Sequence, residues 1–416
     1  MHETNDTNLT TPNEFHRGVT RSRRNDPIYR DPIHSQTPKV RYPMAKGSID
    51  TTFLLIVIGL ILYGIIMAYS ASSIYGIQHK QDSLYYVRRH LLFVVGALIS
   101  TFLFVWLARP WFWRLSSFAI YGVSLLLLLL VLVVGVSEGD AQRWIQLGPI
   151  TIQPSEIAKL AVVMMLALLM SKYEAKVMSD HKFGGNFRYG VLLPGVVMGV
   201  LILLVAAERH ISGVMIIAMI GAVVMFMGGT KMRWILLLGG VVLVGGVLLI
   251  AFSSYADTRI QLLFHIDEMD PLGEAWQTLQ GLYAIGSGGL FGLGLGNSRQ
   301  KFGFVSEPQN DFIFTIICEE LGFFGAVAVL LLFALLVWRG FKIAANAPDK
   351  FSALVVYGII FKTALQAALN IAVVTNSMPN TGISLPFFSS GGTALAIQIF
   401  EMGIVLNISR FSRIEK

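Results

Sequence analysis

The chain has 416 residues, 54% of them hydrophobic and only 14% charged, with a formal net charge of +7. Soluble proteins carry roughly 25% charged residues, so this composition excludes an ordinary soluble domain. In a chain of long apolar runs the basic excess reads as basic cytoplasmic loops rather than as a nucleic-acid surface. The single cysteine, Cys318, excludes an intramolecular disulfide and any CxxC metal or redox motif.

Residues 1–48 are polar, rich in Asn, Thr, Pro and Arg, and lack apolar periodicity. They read as a disordered cytoplasmic tail and contain no cleavable signal peptide. Apolar blocks of about 18 residues or more then recur, each long enough for a hydrocarbon core of roughly 30 Å. They predict an all-α polytopic membrane protein with ten transmembrane helices, at 50–71, 89–108, 113–136, 154–171, 189–207, 211–228, 232–253, 311–338, 352–377 and 388–409. The membrane domain runs over 49–410, and 411–416 form a short tail. Lys and Arg are denser in the tail and alternate loops, which puts both termini in the cytoplasm and makes 254–310 a large extracytoplasmic loop between the seventh and eighth helices.

The predicted outer side collects the ionisable chemistry. Loop 137–153 carries Glu138, Asp140 and Arg143, and the turn after the fifth span reads Glu208-Arg209-His210. The large loop includes Arg259 and a glycine-dense stretch, GSGGLFGLGLGN at 286–297, followed by Arg299, Lys301, Glu307 and Asp311. Asn310-Asp311 stands directly before the apolar run FIFTII. Two readings apply: a helix N-cap, and a carboxylate kept ionised by the helix terminus and able to act as a general base. The glycine stretch has no preceding strand and no following GKS/T, so it is not a nucleotide loop; it is either a backbone cradle for a phosphate or a flexible re-entrant turn.

Pro154 falls at about the first position of the fourth helix, with Glu156 and Lys159 three residues apart on one face. They read as an ion pair near the membrane surface, or with Lys159 facing a polyanionic ligand. Lys362, Gln366 and Asn370 recur every four residues and line one face of the ninth helix, looking into the bundle. Lys362 and Glu401 lie at similar depth and are expected to form a structural ion pair. Glu319 and Glu320 are hard to place, because adjacent helix positions cannot face one partner helix. The histidines make no metal set. The outer acids could take one hard divalent cation, Mg or Mn, through oxygen ligands, but no spacing specifies it.

Four separated stretches carry a family resemblance: GDAQRWIQLG…IQPSEIAKL at 139–160, GLFGLGLGNSRQK at 289–301, EPQNDFIF…EELG at 307–322 and MPNTGISLPFFSSGG at 378–392. In this order they resemble the SEDS family (shape, elongation, division and sporulation) of bacterial cell-wall polymerases, over nearly all of residues 50–410. The resemblance implies a peptidoglycan glycosyltransferase in the bacterial cytoplasmic membrane. Such an enzyme polymerises lipid II into a lipid-linked glycan strand beside a class B penicillin-binding protein. It implies Asp311 as the essential acid. Arg143, Lys159, Arg209, Arg259, Arg299 and Lys301 are then candidate diphosphate-binding cations, and Glu307, Glu156, Trp144 and Asn297 supporting positions. The long tail and the Ile408–Phe411 ending look more like the division and sporulation branch than the elongation branch.

Two departures stand out. The family's Glu-Pro-Asp after the fifth span is Glu208-Arg209-His210 here, and its Ser-Tyr-Gly-Gly-Ser is Ser389-Ser390-Gly391-Gly392-Thr393. From the residues alone, a flippase for lipid-linked precursors and a non-catalytic scaffold of a cell-wall complex also remain.

Overall fold

The computed structural model describes residues 47–411, except 139–140, 149, 180–184, 238, 241–260, 271 and 274. The predicted tail, most of the predicted seventh span and Arg259 lie outside the described residues. Within them the chain forms α1 (Thr51–Lys80), α2 (Tyr85–Leu107), α3 (Pro110–Val134), a three-stranded sheet, α4 (Pro154–Lys172), α5 (Leu193–Ala207), α6 (Ile211–Met227), α7 (Trp276–Ser287), α8 (Ile313–Ala345), α9 (Lys350–Val374) and α10 (Gly392–Ser409). Among the described residues eight helices are long and apolar enough to cross a membrane, and the 17-residue α6 is a shorter apolar helix. This is a multi-pass membrane protein.

Local chemistry explains the helix starts. Asp50 caps α1 by accepting from Phe53 N at 2.9 Å, and Asp349 caps α9 through Ser352 N at 3.0 Å. Pro110 and Pro154 open α3 and α4, where a missing N–H costs nothing. α4 and α10 are the most enclosed helices, whereas α3 leaves Leu115, Phe118, Leu126 and Val133 exposed. Such a face is what a helix bordering lipid presents.

An all-α chain is not what forms. Residues 136–152 fold into an antiparallel sheet of β1 (Val136–Glu138), β2 (Ala141–Leu147) and β3 (Ile150–Ile152), in that order. Gly148, at φ +62°, supplies the left-handed turn between β2 and β3. In β2 Ile145 is the one fully buried residue among those described, and Gln146 and Leu147 are exposed. The stretch is too short and too polar to span a membrane, so the extended chain satisfies its backbone by pairing with itself.

The chain enters and leaves at one end of the bundle, where Gly47 N donates to Arg410 O at 2.7 Å and Asp50 N to Ser409 Oγ at 3.2 Å. Arg339 of α8 closes on the Asp50 carboxylate there, at 2.9 Å. Ser70 of α1 reaches Glu320 of α8 at 2.5 Å toward the opposite end. These two polar contacts are about 20 residues apart on each helix, or about 30 Å at 1.5 Å per residue, which matches a hydrocarbon core of roughly 30 Å. Beyond the second contact α1 continues to Lys80 and α8 extends back to Ile313.

At that boundary α8 is broken. Gly322 has φ +65° and ψ −160°, and a side chain there would collide with the backbone of Leu290 and Gly292. The freed carbonyls of Glu319 and Glu320 accept from Leu293 N and Gly294 N, each at 2.9 Å, and Gly289 O accepts from Phe323 N at 2.9 Å. The side chains of the same two acids hold the rest of the glycine loop. Glu319 accepts from Arg299 N at 2.8 Å and from the Ser298 hydroxyl; Glu320 accepts from Ser298 N at 3.2 Å and from Lys301 Nζ at 2.9 Å. The adjacent acids therefore both hold the loop, and Glu320 alone also reaches α1 through Ser70.

Removing one partner of a buried ion pair strands the other charge, at a cost of about 3–5 kcal/mol. Glu320→Ala, which leaves the Lys301 ammonium unpaired, is expected to lower thermal stability in detergent by an amount in that range and to open residues 288–303 to limited proteolysis. Glu320→Gln, which keeps the shape and an acceptor, should lose clearly less.

Candidate active site

Asp311 lies at the far end, half-buried, in the turn just before α8. The cap expected of Asn310-Asp311 does not form: Phe312 is the N-cap residue and no side chain closes the first turn. Asn310 is used otherwise. Its amide donates to Glu307 Oε2 at 2.7 Å, and its side-chain oxygen accepts from the Ser390 hydroxyl. Its carbonyl accepts from Ser389 Oγ at 2.9 Å, and Ser390 N donates to Gln309 O at 2.9 Å. Residues 307–311 are thereby stitched to the segment 378–391 before α10. Glu307 adopts a left-handed φ of +47° within this turn. From the 378–391 side Gly382 approaches Asp311 so closely that an added Cβ would sit 3.2 Å from Asp311 Oδ2.

Two groups not singled out in the sequence complete this neighbourhood. Tyr86 and Arg89 occupy one face of the first turns of α2, and Tyr86 is within electrostatic range of both Arg89 and Glu307. Arg89 is half-buried and its Nη2 donates to Thr151 Oγ1 of β3 at 2.9 Å. Only the spacing of Tyr86 and Arg89, three residues apart on a helix, hinted at a shared face.

The predicted cations separate into two classes. Arg299 and Arg209 are exposed and Arg143 is half-buried. The Arg143 guanidinium is steadied by Arg209 O at 3.2 Å. Lys301 and Lys159 do not belong with them. Lys301 is buried beneath the glycine loop, bonded to Glu320 and to Gly296 O at 2.7 Å, which corrects its reading as a substrate-binding cation. Lys159 is likewise enclosed and sits 2.5 Å from Glu156 Oε1, so the polyanion-facing reading is replaced by the ion-pair one. Lys362 Nζ lies 2.6 Å from Glu401 Oε2, both fully enclosed. Glu156 is within electrostatic range of Lys362, so the two pairs form one alternating charge cluster inside the bundle. Trp144 is half-buried in β2, paired in register with Val136. Asn297 is exposed and closes the glycine turn onto Leu293 O at 3.1 Å.

Among the described residues no three His, Cys, Asp or Glu side chains converge as a metal site.

The Glu208-Arg209-His210 turn joins α5 to α6, with Arg209 at φ +56°. Glu208 and His210 are buried, and neither Glu208 oxygen has a hydrogen-bond partner among the described residues. Burial pushes the Glu208 carboxyl up to about 8, partly opposed by Arg143. Burial pushes the His210 imidazole down to about 3, reinforced by Arg143 and Lys159. Both groups are thus neutral in the folded protein near pH 6.

Residues 50–414 match the FtsW/RodA/SpoVE family model, described as cell cycle protein. The chain belongs to this family. It is 40% identical over 373 residues to stage V sporulation protein E of Bacillus subtilis, covering 88% of this chain and 99% of that one. It is 36% identical over 376 residues to the probable peptidoglycan glycosyltransferase FtsW of Trichlorobacter lovleyi, covering 89% and 95%. The fold is similar to the crystal structure of the rod shape determining protein RodA of Thermus thermophilus (TM-score 0.64, 26% identity, 88% of this chain and 98% of that one). It is also similar to a chain from a structure of a peptidoglycan synthase complex that coordinates polymerization and crosslinking (TM-score 0.69, 26% identity, 87% and 98%). The stronger sequence matches favour the FtsW and SpoVE side of the family, as the tail and the Ile408–Phe411 ending suggested.

The turn at 208–210 makes a pH prediction. A carboxyl raised from its ordinary value to about 8 stabilises the fold fully below the unfolded pKa, and that stability is lost as pH rises through 8. The lowered His210 works oppositely: its contribution is present above its unfolded value of 6.5 and is lost as pH falls toward 3. The melting temperature should therefore be flattest between about pH 4.5 and 6.5 and decline from 6.5 to 8. Glu208→Gln should remove the decline above 6.5, and His210→Asn the one below, in thermal melts of the purified protein.

Proposed function

We propose that the chain is a peptidoglycan glycosyltransferase that polymerises lipid II at the outer face of the bacterial cytoplasmic membrane. The observation that carries this reading is Asp311. The acid that the family resemblance marks as essential lies in the turn before α8, nine residues from Glu320, at the rim of the bundle rather than along a path through it. In this reading the spans number ten, the termini are cytoplasmic, and the far end is extracytoplasmic.

The heights along α8 suit a lipid-linked sugar. Arg299, fixed through its backbone to Glu319, lies at the boundary where a diphosphate leaves the hydrocarbon. Asp311 lies one sugar-sized step farther out. An apolar groove of about 600 Å³, lined by Phe93, Ala97, Ile120, Leu160, Ile397 and Phe400, borders α2, α3, α4 and α10 and is suited to a polyprenyl tail.

The Asp311 carboxylate accepts the proton of the acceptor's 4-hydroxyl as its oxygen attacks the anomeric carbon of the donor. The bond from that carbon to the diphosphate breaks with inversion. The negative charge that grows on the leaving group is met by Arg299, Arg143 and Arg209, with Arg89 as a further candidate. Glycan strands need cross-linking, so a penicillin-binding protein of class B is the expected partner. A divalent cation, Mg or Mn, could assist through the substrate diphosphate.

A flippase is the less favoured alternative, because the charges deep in the bundle are closed into pairs: Glu156 with Lys159, and Lys362 with Glu401. Purified protein given lipid II in detergent separates the two readings, since flipping has no meaning there. Wild type is expected to form polymer, and Asp311→Asn to remain folded while losing at least 10²-fold in rate, the lower part of a general base's contribution of about 10²–10⁴. Polymer at the wild-type rate from Asp311→Asn overturns the assignment.

A further inference from the structure

Lys362, Gln366 and Asn370 form one stripe on α9, but the fold puts them to three uses. Lys362 neutralises Glu401. Gln366 borders a small enclosed cavity of about 20 Å³ shared with Glu156 and Gln398. Asn370 reaches the active-site rim. Its side-chain amide donates both hydrogens, one to Asp311 O and one to Ile383 O, each at 2.7 Å.

Those two carbonyls belong to the two segments that build the site. Asp311 precedes α8, and Ile383 lies in the 378–391 segment whose Gly382 presses against the Asp311 carboxylate. Asn370 is fully buried, and its own Oδ1 has no partner among the described residues. The side chain is thus retained for its two donors. An Asp would present acceptors to acceptors, and a Leu would take both donors away. The neighbouring stitches from Ser389 and Ser390 join the same segments through Asn310 and Gln309, not through Asp311.

We propose that Asn370 is a positioning residue for catalysis: by tying Asp311 and Ile383 to the rigid α9, it fixes the height and direction of the Asp311 carboxylate. This rests on the reading of Asp311 as the base. Asn370 touches no substrate, so its loss should affect turnover and not substrate capture.

The test is steady-state polymerisation of lipid II by the purified full chain, comparing wild type, Asn370→Ala, Gly382→Ala and Asp311→Asn. Displacing a catalytic group by about 1 Å can cost 10²-fold, so Asn370→Ala is expected to lower kcat by about 10- to 100-fold while KM for lipid II stays within about threefold. Gly382→Ala, whose methyl group pushes on the carboxylate from the opposite side without touching α9, should show the same kcat-only loss. Gly382 has φ +63°, so this variant reports on the wall and not on Asn370; Asn370→Ser, which keeps one short donor, takes the place of Asn370→Ala if that protein does not purify folded, with a smaller loss of the same kind expected. Wild-type kcat in the folded Asn370→Ala protein, or a raised KM at unchanged kcat, overturns the proposal while leaving Asp311 as base. Full activity of Asp311→Asn overturns both and is recognised separately.

Discussion

Two adjacent carboxylates, Glu319 and Glu320, hold the far end of this bundle together. They are buried where α8 breaks at Gly322, and a break in a membrane helix exposes carbonyls that the apolar layer cannot solvate. The glycine loop resolves this by laying its own N–H groups against those carbonyls while Ser298, Arg299 and Lys301 satisfy the acid side chains. Loop and helix therefore exist in this form only together. The dependence also explains the glycine density: at Gly292 and Gly322 the two backbones approach too closely for a Cβ.

The same economy governs the deeper charges. Lys159, Glu156, Lys362 and Glu401 alternate in sign and are closed on one another inside the bundle. They offer no net charge to a ligand. The arginines at the rim are the reverse case, exposed or half-buried and anchored through backbone atoms, with guanidinium groups still able to meet an anion. Division of labour between the cations thus follows depth: paired within the apolar layer, available beyond it.

The surroundings of Asp311 at the rim are built from parts distant in the chain. Asp311 sits in one segment, the wall against it in 378–391, and the amide joining them on α9. Each part alone would be a mobile loop or an ordinary helix residue. Joined, they make a carboxylate whose backbone is set by hydrogen bonds and whose side chain meets Gly382, a glycine held in a left-handed conformation at φ +63°.

Much of this was legible before any fold was known. Of the ten blocks that hydropathy marked, eight form helices long enough to cross a membrane among the described residues, because an apolar block must span the hydrocarbon, and the i, i+4 spacing of Lys362, Gln366 and Asn370 marked an inward face because a helix repeats on that period. What the linear chain could not decide was which partner each polar group would take. Lys301 looked like an exposed cation until the glycine loop folded over it, and Asn310 looked like a cap until Ser390 and Glu307 claimed its side chain. Loop 137–153 held no apolar period yet pairs as strands. Periodicity is a property of neighbours along one helix; the pairing of a buried charge or amide depends on which distant segment arrives opposite it, and only the tertiary structure sets that.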